Sequence, residues 1–191
     1  MRKPLFWMIA CAALAGCGGG TMSNPEPPPT GAPTGTPVPN EGWVHVTEGS
    51  VINYQHNPPA SGPHYPVWLR YEEYATAQAR GYWVHNLEHG AIVFLYRPDA
   101  PAASVSALRD TFRGLPDDPQ CGHPRALLTP DPLMPRPVAV VAADWFLEGD
   151  TLQTQTVRDF WIKVRRHNRN SSAPPSLVSL GSMAGRVCGV P

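Results

Sequence analysis

The chain has 191 residues, of which 15 are basic, 15 are acidic and seven are histidine. This neutral balance, with no basic cluster before residue 158, excludes the electrostatic surface of a nucleic-acid-binding protein, so no nucleic-acid partner is expected. The length is enough for one domain with a hydrophobic core.

The chain begins with an expected signal peptide, residues 1–16. Arg2 and Lys3 provide the positive charge of such a signal, and residues 4–14 are almost wholly apolar. This stretch is shorter than the about 20 residues that a transmembrane helix needs, but it has the length of a signal-peptide core. We therefore expect export from the cytoplasm.

Cys17 is the expected lipidation site. It follows Leu14-Ala15-Gly16, and small residues leading into a cysteine at the end of a signal peptide resemble a lipobox. The alternative is an ordinary secretory signal with an incidental cysteine. Gly18, and not aspartate, follows Cys17. We therefore expect a palmitate-carrying lipoprotein of the cell envelope, anchored to the outer membrane and facing the periplasm or the cell surface.

Residues 17–42 form an expected tether between the lipid and the domain. Seven prolines interleave with glycine, serine and threonine in residues 18–42. Such a composition buries too little apolar surface to fold, and it favours coil and polyproline II at up to about 3 Å per residue. The globular domain is therefore expected to span residues 43–191.

The first part of the domain predicts a hairpin followed by loops. Trp43–Thr47 and Val51–Tyr54 have short alternating patterns on either side of Glu48-Gly49-Ser50, which is typical of a β-hairpin. The aromatic stretch Val67–Tyr82 favours neither helix nor strand, so its structure is left open.

The second part predicts strands and helices in the order β-α-β-β-α. Strands are predicted at 91–96, 125–129 and 137–147. Thr156 and Asp159 are spaced like a capping box at the start of the second helix. The order predicts an α+β fold, a single domain with a mixed or antiparallel sheet and about two helices packed on one face. Helical spacing is carried by Val105, Leu108, Phe112 and Leu115, and then by Val157, Phe160, Trp161 and Val164.

Two cysteines remain for the folded domain, because Cys11 lies in the signal and Cys17 is the lipid site. Cys121 and Cys188 are an even pair in an oxidising compartment, which predicts a disulfide bond. A redox or metal site of the CxxC type does not fit a spacing of 188 − 121 = 67 residues.

The histidines carry the candidate chemistry, and the tightest group is His85-Asn86-Leu87-Glu88-His89-Gly90. On a helical turn His85 and His89 share a face and could hold one metal ion. The order H-x-x-E-H also matches the inverted zinc-peptidase motif, in which the glutamate is the general base. Gly90 and a strand from Ala91 leave room for about one helical turn, which argues against a peptidase.

A second histidine lies in a proline-rich loop, residues 57–64. Its three prolines, Pro58, Pro59 and Pro63, fix the backbone, and Gly62 permits a sharp bend. Such a loop presents His64 at low entropic cost, as a binding site requires. A structural loop whose histidine bonds to the backbone is the equal alternative.

These blocks resemble domain-of-unknown-function family 3105. The resemblance runs from about residue 43 to 169 and implies a domain and a site, mostly in membrane-attached or secreted bacterial proteins, without a named reaction. Residues 75–80 depart from the family pattern, and the tail 171–191 is an addition. The matching residues are His45-Val46, Glu48-Gly49, Tyr54, Pro58-Pro59, Ser61-Gly62-Pro63-His64 and Val84-His85-Asn86-Leu87-Glu88-His89-Gly90, followed by a strand ending at Tyr96.

The main hypothesis is a transition-metal site, Cu or Zn, formed by His64, His85 and His89. Glu88 would be a ligand or support one, and His45 or His56 would be the fourth ligand. Imidazole suits both ions, and intrinsic affinity favours Cu(II). A metal-handling or envelope protein would then be the partner, besides the membrane that the lipid reaches.

Three alternatives stay open. A metal-dependent hydrolase would use Glu88 as the base for a bound water. A metal-free hydrolase would use Ser61 as nucleophile with His64 or His85 as base, although Ser61-Gly62 lacks the usual nucleophile elbow. A domain without chemistry would use the histidines and Glu88 as a buried polar network, because buried polar groups need partners.

Overall fold

The computed structural model describes residues 35–119, 121–170 and 188, which belong to one compact unit, residues 33–191. The predicted signal peptide, Cys17, most of the tether and the tail 171–191 apart from Cys188 lie outside the described residues. Within the described ranges, no helix is both long and apolar enough to cross a membrane.

The described residues form one mixed five-stranded sheet. Its order is β1-β5-β4-β2-β3, in which β2 and β3 are parallel and every other neighbouring pair is antiparallel. This confirms the predicted α+β class with a mixed sheet. The strands are β1 (Thr36–Pro37), β2 (Ile92–Tyr96), β3 (Ala126–Pro130), β4 (Val138–Ala142) and β5 (Trp145–Gly149).

Helices cover both faces of the sheet. They are α1 (Arg80–Glu88), α2 (Ala102–Arg113) and α3 (Thr154–Asn170). Helices α2 and α3 pack on one face around Phe94 and Phe160, which confirms the two predicted helices on one face. Helix α1 and the proline-rich loop pack on the other face, where Trp83 contacts the β2 and β4 side chains. Because β2, β3 and β4 are buried on both faces, their sequences are almost wholly apolar, with Thr129 of β3 as a buried polar exception.

The predicted long strand 137–147 is two strands. Strand β4 ends at Ala142 and β5 begins at Trp145, so the chain reverses over two residues. Asp144, the second residue of the turn, has φ 62°, a left-handed backbone that allows the chain to reverse over so few residues. Continuous hydrophobicity on both sides of the turn hid it from the sequence pattern.

The end of the predicted tether belongs to the sheet. Thr36 pairs with Phe146 and Pro37 with Trp145, so the ordered domain starts before residue 43. The Val38 amide donates to the Asp144 carbonyl at 2.9 Å. Composition alone did not reveal this strand, because a two-residue edge strand leaves almost no hydrophobic pattern.

The predicted hairpin over residues 43–54 is wrong. The turn is present, since the Ser50 amide donates to Thr47 at 3.0 Å, but the two arms do not pair. Instead, residue 45 forms a parallel bridge with residue 64. The Val46 amide donates to the His64 carbonyl at 2.8 Å, and the His64 amide donates to Val44 at 2.9 Å. This bridge places His45 beside His64.

Helix α1 is longer than the single turn expected around His85. It spans nine residues and begins within residues 67–82, for which the sequence favours neither helix nor strand. Helix α3 begins at Thr154, so Thr156 and Asp159 do not form the predicted N-terminal capping box. The predicted disulfide is confirmed, with the Cys121 and Cys188 Cα atoms 5.1 Å apart.

Candidate metal centre

Four side chains converge beside the bridge between residues 45 and 64: His45, His64, His85 and Glu88. One ligand atom from each lies within 4.8 Å of all the others. The Glu88 Oε2 atom is 3.3 Å from His64 Nε2, and it is 3.8 Å from Nε2 of both His45 and His85. The three imidazoles therefore present the same ring nitrogen to one carboxylate oxygen.

Three separate segments supply these side chains. His85 and Glu88 come from α1, where a spacing of three residues places them on the same face. His64 comes from the proline-rich loop, and His45 from the segment that pairs with it. Gly62 precedes His64 with φ 119°, and a Cβ there would lie 3.0 Å from the Tyr54 ring. The bend that aims His64 into the group therefore requires glycine.

Backbone carbonyls orient the two buried imidazoles. The His64 Nδ1 atom is 2.9 Å from the Gly62 carbonyl, and His85 Nδ1 is 2.6 Å from the Tyr65 carbonyl. A carbonyl only accepts hydrogen bonds, so each neutral ring carries its proton on Nδ1 and its lone pair on Nε2. Histidine ligands of metals are oriented in this way by a partner on the other nitrogen.

The uncharged state of His85 is favoured by its surroundings. The pKa of His85 is lowered to about 4, mainly by burial and also by the His89 and His64 imidazoles, while the hydrogen bond to the Tyr65 carbonyl and the Glu88 carboxylate oppose the lowering. Burial raises the pKa of Glu88, but the surrounding imidazoles, His64 first, outweigh this and hold it below its usual range. An uncharged His85 beside an ionised Glu88 leaves a negative charge in the group, which a bound cation would stabilise.

The separations between Glu88 Oε2 and the three imidazole nitrogens are close to those around a small metal ion. Two ligand atoms on a tetrahedral zinc ion lie about 3.3 Å apart, given metal–ligand distances of about 2.0–2.1 Å. The observed 3.3 and 3.8 Å separations from Glu88 Oε2 are within about half an ångström of that value. His64 Nε2 is buried and makes no hydrogen bond of good geometry among the described residues, although Glu88 Oε2 lies 3.3 Å away. An unsatisfied buried acceptor of this kind suits a metal ligand.

The remaining sequence candidates take other positions. His89 caps the end of α1, and its Nε2 lies 2.9 Å from His85 Nε2, outside the four-residue group. His56 is also outside that group, and its amide donates to Glu41 at 3.2 Å. Ser61 is buried, and its hydroxyl accepts from the Glu41 amide at 2.8 Å, which does not suit a nucleophile that must meet substrate.

Sequence reasoning missed the residues that support the site. The Asn86 side chain accepts from the Leu69 amide at 2.9 Å and donates to the Leu69 carbonyl at 2.7 Å, which fixes the loop after Tyr65 against α1. The Trp68 ring packs 5.2 Å from His85 and 5.0 Å from His89. Because Asn86 lies inside the histidine motif, its position indicated a role near the site. Its partner could not be predicted, since Leu69 is 17 residues away in the sequence.

The fold and the site together define an α+β domain with a histidine–carboxylate group that could hold a metal ion. The chain belongs to the family described as "Protein of unknown function (DUF3105)", whose model matches residues 45–176. This confirms the family suggested by the sequence blocks. No curated protein and no solved structure matches the chain.

Replacing His89 with alanine should leave stoichiometric metal binding intact and should not weaken the affinity for Zn(II). Because His85 Nδ1 bonds to a carbonyl, His89 must donate its Nε2 proton to the His85 lone pair, and it therefore competes with a metal. Competition titration of Zn(II) against a chelator measures the effect. Loss of the 1:1 site would instead make His89 a ligand, as the sequence hypothesis had it.

Metal-free protein should lose stability as the pH falls from about 6.5 to about 4. The folded pKa of His85 lies below its unfolded value, so unfolding takes up a proton in this range and the free energy of unfolding falls. Glu88, whose pKa is also lowered, adds to the loss below its ordinary value of 4.5. Urea denaturation of EDTA-treated protein across this range measures the loss. An equal slope in a His85→Gln variant would show that His85 is not its source.

Proposed function

We propose that this protein binds a transition-metal ion, Zn(II) or Cu(II), outside the cytoplasm through His45, His64, His85 and Glu88. One observation carries the proposal: three imidazole Nε2 atoms face one carboxylate oxygen at 3.3–3.8 Å. Two of those rings are held by carbonyls on their other nitrogen. Three neutral imidazoles and one carboxylate leave a divalent ion with a single net positive charge, which favours its retention.

The donor set favours a divalent ion over Cu(I). Nitrogen and oxygen ligands suit Zn(II) and Cu(II), whereas thiolate and thioether ligands select Cu(I). Met134 is buried in the core cluster beneath α1 and is not among the four converging side chains. The Cys121 sulfur is committed to the disulfide.

The proposed setting is the cell envelope, with lipid on Cys17 as the membrane anchor. Support comes from the signal-like residues 1–16 and from the disulfide, since disulfides persist in oxidising compartments. Wild-type protein made in cells should incorporate labelled palmitate, and Cys17→Ser protein should not. Absence of label from the wild type would contradict the lipid anchor.

Elemental analysis tests metal binding directly. Full-length protein is reloaded with Zn(II) or Cu(II), freed of excess metal and analysed. We expect one ion per chain for the wild type. We expect the same for His56→Ala, because His56 lies outside the four-residue group. His64→Ala should bind substoichiometrically, because it removes a buried ligand. A wild type with substoichiometric metal after both loadings would sink the proposal and favour a buried polar network.

A metal-dependent hydrolase is the second candidate, and the exposure of the His45 side chain favours it, because solvent reaches the group from that side. Glu88 would then act as base towards a metal-bound water. Zn-loaded protein should hydrolyse an activated ester faster than Glu88→Gln protein carrying the same amount of metal. Equal rates would leave binding as the function.

A further inference from the structure

We propose that His45 is the exchangeable ligand of this site, through which the protein transfers its metal ion to an acceptor. This inference rests on the proposed metal binding and adds the ligand at which exchange of the metal ion begins. It assigns different roles to the ligands. His64, His85 and Glu88 retain the ion, and dissociation of His45 allows the ion to enter or leave the site.

Burial separates His45 from the other three. The exposed fraction of the side chain is 0% for His64, 3% for His85 and 12% for Glu88, but 53% for His45. Structural metal sites are closed on all sides by protein ligands. A site with one ligand at the solvent boundary instead lets an external donor reach the ion by displacing that ligand.

Hydrogen bonding separates His45 in the same way. Carbonyls hold the second ring nitrogen of His64 and of His85, but no such carbonyl holds the His45 ring within the described part of the chain. The backbone around His45 is fixed by its bridge to residue 64. Its ring therefore leaves by rotation of the side chain alone, at little cost to the fold.

The ring contacts show what a departing His45 would leave behind. Its centroid lies 4.9 Å from those of both His64 and His85, so it covers the pair on the solvent side. The His64 and His85 rings are also 4.9 Å from each other, and they keep that relation without His45. Two imidazoles and a carboxylate would still hold the ion.

The transfer step is a ligand substitution without electron transfer. The bond between the metal and His45 Nε2 breaks, and a bond from the metal to an imidazole nitrogen or thiolate sulfur of the acceptor forms. His45 keeps its lone pair, which water then satisfies, and the ion stays divalent. The acceptor is therefore a small chelator or a protein with an exposed imidazole or thiolate ligand, and the remaining three bonds are replaced in turn.

The test follows Zn(II) leaving the loaded full-length protein for an excess of a chromophoric chelator, with and without free imidazole. Imidazole should accelerate release from the wild type by assisting the substitution of His45. His45→Ala should still hold one ion, release it at least about tenfold faster, and show no acceleration by imidazole because its position is already open. His56→Ala should behave as wild type.

Two results would overturn the inference while leaving metal binding in place. One is release from the wild type at a rate independent of imidazole and chelator, which would mean that the whole site opens. The other is His45→Ala protein as empty as His64→Ala protein, which would make His45 a retaining ligand. A wild type that binds no Zn(II) would overturn the inference and the proposed function together.

Discussion

Replacing His85 with asparagine should abolish stoichiometric metal binding while the protein stays folded. His85 is the centre of the site: its Nε2 lies 3.8 Å from Glu88 Oε2, and its ring packs 4.9 Å from both His45 and His64. The asparagine side-chain amide is placed to donate to the Tyr65 carbonyl as Nδ1 does, but it has no counterpart of Nε2. The variant therefore separates the ligand from the structural hydrogen bond.

The size of the effect appears in stability as well as in metal content. A ligand that binds only the folded state at 100 times its dissociation constant stabilises that state by about 2.7 kcal/mol. Wild-type protein should gain about this much with Zn(II) in urea denaturation, and His85→Asn protein should gain nothing. Without metal, the variant should lose less stability than His85→Ala, which leaves the Tyr65 carbonyl without its donor at a cost of about 1–3 kcal/mol.

Two outcomes would contradict this account. Zn(II) stabilisation that survives in His85→Asn would place the site elsewhere in the chain. Equal destabilisation of the metal-free alanine and asparagine variants would mean that the contact with Tyr65 does not support the fold. The His56→Ala variant is the matched control, because it removes a histidine outside the group.

The sequence predicts those helices and strands whose apolar residues lie on one face or form a continuous run. Helices α2 and α3 each have one face on the sheet, so Leu108, Val157 and Phe160 recur at helical spacing. Strand β2 is a short β-branched and aromatic run, which favours a buried strand. In these elements local sequence and tertiary environment agree.

Helix α1 lacks such a pattern because it is buried nearly all round. Trp83, Val84, Leu87, His85 and Asn86 are all buried, although they point in different directions around the helix. A helix without a solvent face has no apolar stripe. The bridge between residues 45 and 64 was not predicted for another reason. The local alternation in residues 43–54 favours a hairpin, and the actual partner of residue 45, His64, is distant in sequence.

The candidate site was predictable where its residues are neighbours in sequence. His85 and Glu88 share a helix face, and the prolines marked His64 as a presented residue. Sequence spacing could not show that His45 belongs to the four-residue group and that His89 lies outside it. His89 lies four residues from His85, but at the end of α1 its ring meets His85 Nε2 and not the common centre. His45 enters the group through the long-range bridge.

Replacing Cys121 and Cys188 together with serine should lower the free energy of unfolding by roughly 4 kcal/mol, because the bond closes a loop of 67 residues in the unfolded chain. This is a large part of the 5–15 kcal/mol by which a typical domain is stable. Urea denaturation of oxidised wild type and of the double variant measures the loss. Wild type reduced by a phosphine is the matched control and should behave like the variant.

The same variant separates the stability of the domain from the integrity of the site. Arg125 links the two regions: it pairs with Asp118 at 3.1 Å near the disulfide, and it donates to the His89 carbonyl at 3.2 Å. Since His89 is outside the proposed ligand set, loosening this link should leave one Zn(II) per chain at concentrations of denaturant that keep the variant folded. A loss of less than about 1 kcal/mol would contradict the loop-closure argument. Loss of the metal from a folded variant would show that the disulfide region positions α1, and with it His85 and Glu88.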